Sequence, residues 1–296
     1  MDIQSFSIVV PNRGCVNACP FCVSRMHCSK YENKMDMNHP HYDINIKEYM
    51  KRMRYVAECG CKTLMLTGDA EPQQNKAFLN QFALMHQLIG SPFTNIEMQT
   101  TGMRLDNDRD YIRFLRNFVG VNTMAISLSS LDNFRNTELR GGGAKRFVDI
   151  RKLCDLLKEY DFNIRICLNL TDEFNSWSTA GDVLLAIKDC KQRLHANQVT
   201  FRKMYVSTSN FNSAQCKWLG QHAFMKEDQL KECLGWNSVA GQTVYGQSIR
   251  YIEGMSIIYD QDCMAKDQPN DKAKYFILQP DCKLYSQWDS AASLVF

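Results

Sequence analysis

Prolines are scarce, seven in 296 residues, and none gathers with glycine or serine into a linker. That argues against a string of tethered domains. No apolar run approaches the ~18 residues that a membrane span needs. Residues 1–11 lack the basic start and apolar stretch of a signal peptide. The net charge of +3 is too small to argue for nucleic acid or an anionic membrane as a partner. There is no internal repeat and no low-complexity tract. These absences lead to the expectation of a cytoplasmic protein, and the 45% of hydrophobic residues suffices for a sizeable core.

Cysteine, by contrast, is abundant. There are thirteen, an odd number, and in a reducing compartment they are not a disulfide framework. Three of them, Cys15, Cys19 and Cys22, stand at C-x3-C-x2-C spacing directly after a short apolar strand at 7–10. Thiolates are the ligands of iron–sulfur clusters, and the usual count for a four-iron cube is four. Three leave one iron without a protein ligand, and an incomplete coordination shell is where chemistry happens, as in catalytic zinc sites. Two plainer readings stand beside this one. Structural zinc sites pair C-x2-C with a second pair or with histidines, and a disulfide staple needs an oxidising compartment. Most other cysteines are scattered singly, as small buried hydrophobes are. Cys216, Cys233, Cys263 and Cys282 are single and far apart, and an auxiliary cluster would require all four to converge. The polar stretch 24–45 holds His27, Cys28, His39 and His41; it reads as a lid or substrate-contacting loop, with a second metal site as the lesser alternative.

Along the chain, strands and helices alternate. Apolar residues at helical spacing predict helices over 46–58, 75–89, 107–118, 146–160 and 179–191, with Gly60 and Gly90 as stops. Short apolar runs between them predict strands at 63–66, 95–99, 123–128, 163–170 and 198–206. Alternation of this kind argues for a parallel sheet covered by helices. Beyond 207 the pattern changes to a mixed stretch with one helix near 226–234, then two hairpins, turning at Glu253-Gly254 and at 279–282. The expected fold is α/β, with a barrel over 1–207 and a β-rich extension, 208–296, packed on it.

The C-x3-C-x2-C spacing, with the aromatic Phe21 before the last cysteine, resembles the signature of the radical S-adenosylmethionine (radical SAM) superfamily. Other segments agree in order. Gly68-Asp69-Ala70-Glu71-Pro72 resembles the family's Gly-Gly-Glu motif, stretched by one residue, which implies that Gly68 and Glu71 meet the SAM amino group. Thr100-Thr101-Gly102 is similar to the Thr-Asn-Gly of relatives. The run 126–131, followed by Arg140 and Gly141 to Gly143, resembles the strand-four region of the GTP cyclase of molybdenum-cofactor biosynthesis, which points to Ser127. Asn169 sits where relatives place a polar SAM ligand, and Phe201-Arg202-Lys203-Met204 points to Met204 as the residue packing on the adenine. The resemblance implies a partial (β/α)6 TIM-like barrel over roughly 5–207. It also implies an oxygen-sensitive [4Fe-4S] cluster on Cys15, Cys19 and Cys22, with SAM beside Phe21, and a reduced flavodoxin or ferredoxin-type electron donor. The reaction implied is cleavage of SAM to a 5′-deoxyadenosyl radical that takes hydrogen from a substrate. The substrate is not carried over: Met65 stands where the cyclase has an arginine, and the cyclase's second cysteine pair is missing. A small metabolite or nucleotide is the first expectation and a peptide the second. A non-catalytic iron–sulfur electron-transfer or regulatory protein and a zinc-stabilised binding module are the rivals from other classes.

Overall fold

The computed structural model describes residues 2–12, 14–26, 44–141, 147–207, 211–235, 249–261, 272–288 and 290–296. His27, Cys28, His39, His41, Gly142, Gly143 and Cys263 lie outside the described residues.

Six strands run parallel in sequence order. They are β1 (Asp2–Val9), β2 (Thr63–Thr67), β3 (Asn95–Thr100), β4 (Thr123–Leu128), β5 (Asn163–Leu170) and β6 (Gln198–Lys203). The helices between them are α1 (Ile46–Glu58), α2 (Lys76–Leu88), α3 (Arg109–Phe114), α4 (Asn133–Leu139), α5 (Ile150–Glu159) and α6 (Ala180–Leu194). The helix starts are written locally. Asn45, Asn75, Asp108, Asp132 and Asp149 each accept a backbone N–H of the first turn, which satisfies one of the donors a helix start leaves over. Thr179 and Asp182 form a reciprocal capping box at α6.

The outward faces of the strands pack against these helices in one continuous core, with Phe6, Leu64, Met98, Ile126, Ile166 and Phe201 on the sheet side and Tyr49, Phe82, Ile112, Leu157 and Ile187 on the helix side. Each such side chain is worth about 1.5–3 kcal/mol of burial. The inward faces differ. They carry Ser7, Thr67, Glu97, Gln99, Arg165, Thr200 and Arg202 around a cavity of about 630 Å³. Ordinary parallel barrels fill that space with branched apolar side chains; this one keeps a polar lumen.

Residues beyond 207 lengthen the same sheet at both ends. β7 (Ile249–Ile252) and β8 (Met255–Asp260) form a hairpin. Both residues of its turn are left-handed, Glu253 at φ 53° and Gly254 at φ 73°, the backbone that a two-residue hairpin requires. β8 pairs parallel with β6. β9 (Lys272–Leu278) pairs parallel with β1, and β10 (Leu284–Tyr285) turns back on β9. The ten strands follow the order β10-β9-β1-β2-β3-β4-β5-β6-β8-β7. A six-stranded arc would otherwise end in two edges of unpaired backbone groups, and β8 and β9 supply the partners. Lys274 on β9 reaches Asp260 on β8 across the remaining seam, 3.9 Å apart. Two further helices, α7 (Ala214–Gln221) and α8 (Glu227–Cys233), lie between β6 and β7.

One core histidine makes a pH-dependent contribution. His86 on α2 stacks between Phe82 and Phe93, each 5.7 Å between ring centres. Its Nε2 accepts the Phe93 N–H at 3.3 Å. Burial lowers its pKa. An unfolded histidine titrates near ~6.5, so the neutral ring stabilises the fold above that pH, and the contribution is lost as pH falls below it. Melting temperatures at ~pH 7.5 and ~pH 5.5 should therefore differ less in His86→Gln than in the wild type; equal slopes would show that His86 plays no part.

Candidate active site

The site begins where β1 ends. Val10 N–H still bonds to Thr67 O at 2.8 Å, and the chain then leaves the sheet in a loop carrying Cys15, Cys19 and Cys22. Cys22 N–H closes a turn on Cys19 O at 3.2 Å, and a short helical turn, Val23–Met26, follows. All three thiols are half-buried. Burial pushes the Cys15 thiol up, with nearby Glu71 and Cys22 adding to it. Cys19 is pushed up to about 12 by burial, then by the charges of Cys22 and Cys15. The three sulfurs thus sense one another, and a cationic centre among them would relieve that repulsion. Among the described residues no three His, Cys, Asp or Glu side chains converge to hold a single metal ion. A cube makes no such demand, because each thiolate binds its own iron. The all-sulfur donor set suits iron–sulfur ligation.

Glu71 ties this loop to the barrel. It is only 5% exposed. Its Oε1 accepts Asn17 Nδ2 at 2.9 Å and Thr101 Oγ1 at 2.7 Å; its Oε2 accepts Gln73 Nε2 at 2.8 Å and Thr100 Oγ1 at 2.6 Å. The Thr101 N–H is shared between the two oxygens, at 3.3 and 3.0 Å. A carboxylate has about four acceptor positions, and these donors fill them. The resemblance would set Glu71 against the SAM amino group; here its carboxylate is engaged by the chain's own donors, and Asn17, between the first two cysteines, is among them. Further ties run from Val16 N–H to Gln74 Oε1 at 3.0 Å and from Gln74 Nε2 to Gly14 O at 2.9 Å.

The end of α4 closes the other side. Arg140 is 2% exposed; its Nη1 donates to Thr101 O at 3.0 Å, and its own carbonyl accepts the Ala18 N–H at 2.9 Å. Burial lowers the Arg140 pKa against the pull of Glu71 and Cys19. Arg140 Nη2 and Asn17 Oδ1 are buried without a hydrogen-bond partner. Two orphaned polar atoms beside the cysteine loop fit a polar group bound there. Gly141 explains the close approach. It sits at φ 66°, and a Cβ on it would lie 2.7 Å from Ala18 O. Gly141→Ala should displace the loop and also bear the ~1–2 kcal/mol of a left-handed L-residue. The expected result is a lower iron content per folded molecule after reconstitution. Gly220→Ala, with nothing within 4 Å, should leave iron content unchanged; equal losses in both would show that the Gly141 contact is irrelevant.

The remaining expected residues fall at the same end of the barrel. Gly68 follows β2 and lines the cavity; a Cβ there would stand 3.1 Å from Val10 O. Ser127 and Asn169 are half-buried at the ends of β4 and β5. Asn169 Nδ2 donates to Ser129 Oγ at 3.4 Å. Phe21 and Met204 meet in one small apolar cluster with Met26, Cys216 and Leu219. Phe21 also packs on Trp218 of α7, 5.6 Å between ring centres, so the region beyond 207 covers the cysteine loop. Cys216 sits in this small cluster, whereas Cys233 and Cys282 pack in the main core. Cys282 Sγ lies 3.8 Å from Asn45 O, at the start of α1. Asn17, Gln73 and Trp218, together with the lumen residues Glu97 and Arg165, escaped the sequence reading.

A parallel barrel whose first strand delivers three thiols to the mouth of a polar lumen is the layout of a class of cofactor-binding barrels. Residues 9–173 match the family model described as the Radical SAM superfamily, and the chain belongs to that superfamily. Among solved structures, native anSMEcpe with bound AdoMet and Cp18Cys peptide matches at a TM-score of 0.54 and 14% identity, over 98% of this chain and 75% of that one. HydG, a maturase of the [FeFe]-hydrogenase, matches at 0.52 and 11% identity, over 79% of this chain and 48% of that one. The chain thus spans about half the length of that maturase. At these identities the likeness is one of fold. Comparison with curated protein sequences gives no match.

Proposed function

We propose that Cys15, Cys19 and Cys22 hold a [4Fe-4S] cluster and that SAM binds across the mouth of the lumen. When bound and reduced, such a cluster supplies the electron that splits SAM to methionine and a 5′-deoxyadenosyl radical, which takes a hydrogen atom from a substrate. The chain's own residues orient and enclose. Phe21 and Met204 give an apolar wall for the adenine. Gly68, Ser127 and Asn169 offer polar contacts at the strand ends. Glu71 acts one step back, through Asn17 and Thr101. Trp218 and α7 keep water from the cysteine loop. Residues 1–207 form the catalytic barrel, and 208–296 complete its edges and roof. The electron donor is a reduced flavodoxin or ferredoxin-type protein. All eleven cysteines among the described residues are unbridged, which suits a reducing, cytoplasmic setting. No helix among the described residues is long and apolar enough to cross a membrane.

The observation that carries this reading is the three-thiol loop, fixed by Asn17 and Glu71 at the mouth of the polar lumen. The substrate is a small metabolite or nucleotide. A peptide is the second reading, favoured by the fold neighbour with a bound peptide, which matches over 98% of this chain. The test is anaerobic reconstitution with iron and sulfide, then reduction with dithionite in the presence of SAM. Release of 5′-deoxyadenosine is the expected result. Iron and sulfide bound without SAM cleavage would favour an electron-transfer or regulatory protein, and stoichiometric zinc in place of iron would end the proposal.

A further inference from the structure

The lumen wall formed by β5 and β6 holds donors that the fold itself does not use. Arg165 on β5 donates from Nη2 to Glu97 Oε1 on β3 at 2.6 Å, over the intervening β4. Its Nε is buried with no hydrogen-bond partner, and so is Oγ1 of Thr200 on β6. Thr200 is 5% exposed and pairs in register with Cys167, two residues along from Arg165. Arg202, two further along β6, lies 3.8 Å from Asp260. Arg165, Thr200 and Arg202 all line the 630 Å³ cavity, a volume within the roughly 300–1,000 Å³ of small-molecule sites. Burial works against the Arg165 charge, Glu97 and the neighbouring Cys167 side chain together more than offset it, and Arg202 opposes it as a like charge nearby. An anion seated between the two guanidinium groups would relieve that opposition and take up the spare Nε–H and hydroxyl. Arg165 stands four residues before Asn169, about 13 Å deeper at ~3.3 Å per residue, whereas Arg202 pairs in register with Asn169, so the site runs from the deep wall up to the strand ends assigned to SAM.

We propose that the β5–β6 wall anchors the substrate, and that the substrate is a small polar molecule whose carboxylate or phosphate seats on Arg165, Thr200 and Arg202. This rests on the enzymatic reading above and narrows its substrate. The test is calorimetric titration of the reconstituted full-length protein with succinate, with inorganic phosphate, and with neutral succinamide as the control. Succinate or phosphate binds saturably and succinamide does not; which of the two binds tells carboxylate from phosphate. Affinity falls at least tenfold in Arg165→Gln and in Arg202→Gln and is unchanged in the surface variant Arg116→Gln. Glu97→Gln, which releases Arg165 from its pair, binds severalfold more tightly, a gain that misfolding cannot produce. Arg202→Gln keeps the proposal testable if either partner of the Glu97–Arg165 pair fails to fold. Equal binding of succinamide, undiminished binding in both arginine variants, or displacement of the anion by SAM would overturn it. Release of 5′-deoxyadenosine by the same preparation separates the two claims. Anion binding without release sinks the enzymatic reading and leaves the anion site standing, whereas release without anion binding sinks the site.

Discussion

Protein carrying alanine at Cys15, Cys19 and Cys22 together should fold like the wild type, stay colourless after reconstitution and release no 5′-deoxyadenosine above the enzyme-free background. The fold should be spared because the three thiols sit half-buried on a loop. Cys15 Sγ accepts the Asn17 N–H at 3.4 Å and a backbone N–H of Glu71, both of them weak bonds to sulfur. The change in unfolding free energy should stay within about 1 kcal/mol, the scale of one modest hydrogen bond. The loss of iron should be complete, since nothing else among the described residues converges to replace the sulfurs. Each single replacement removes one of three corners and should bring cleavage close to the same background. Cys216→Ala is the control that gives the result its meaning. Cys216 packs in the same small cluster as Phe21 and Cys19, so it tests proximity without the assigned role, and it should keep both colour and cleavage. Iron and sulfide assays, thermal melts and product chromatography on the same samples decide the matter. Cleavage surviving in the triple variant would contradict the ligand assignment outright.

The cysteine loop and the six βα units were legible because both are local. A ligand spacing, an apolar run and an Asn or Asp before a helix each act within a few residues. Features that depend on distant partners were not. β1 starts at Asp2, five residues before the apolar run at 7–10, because Asp2, Gln4, Ser5 and Ser7 interrupt the apolar pattern. The same alternation recurs in Asn95-Ile-Glu-Met-Gln, Asn163-Ile-Arg-Ile-Cys and Gln198-Val-Thr-Phe-Arg. Strands of a parallel sheet buried on both faces read as continuous apolar runs, so this period of two was a readable sign of a polar lumen, and it was missed. The helix expected over 146–160 begins at Ile150, on the Asp149 cap, and the loop before it contains α4. Pairing of β8 with β6 and of β9 with β1 has no local signature, since parallel partners distant in sequence are chosen by the edges left open. Met204 and Phe21 were each named separately, and the fold brings them into one cluster. Glu71 was named as a SAM contact from a motif one residue too long, and the donors that surround it come from Asn17, Gln73 and the end of β3.

That surrounding makes Glu71→Ala the second large effect. The side chain accepts from Asn17, Gln73, Thr100 and Thr101 inside the protein. Truncation leaves those donors facing a void, and buried unsatisfied donors cost about 1–3 kcal/mol each. A loss of at least ~3 kcal/mol in urea unfolding of the cluster-free protein is expected, allowing for some relaxation and water entry. Reconstitution should yield well under half the wild-type iron, because Asn17 no longer fixes the segment between Cys15 and Cys19. Glu71→Gln keeps one acceptor oxygen but turns an amide NH2 toward donors, so it should fall between the two. The variants also separate two accounts of this residue. A support acting through Asn17 predicts that stability and iron content fall together, before SAM is added. A carboxylate whose task is to meet the SAM amino group predicts normal stability and normal iron, with only SAM affinity reduced. The geometry favours the first: both oxygens are already shared among protein donors within 3.3 Å, and an ammonium group could reach them only by displacing bonds that hold the cysteine loop in place.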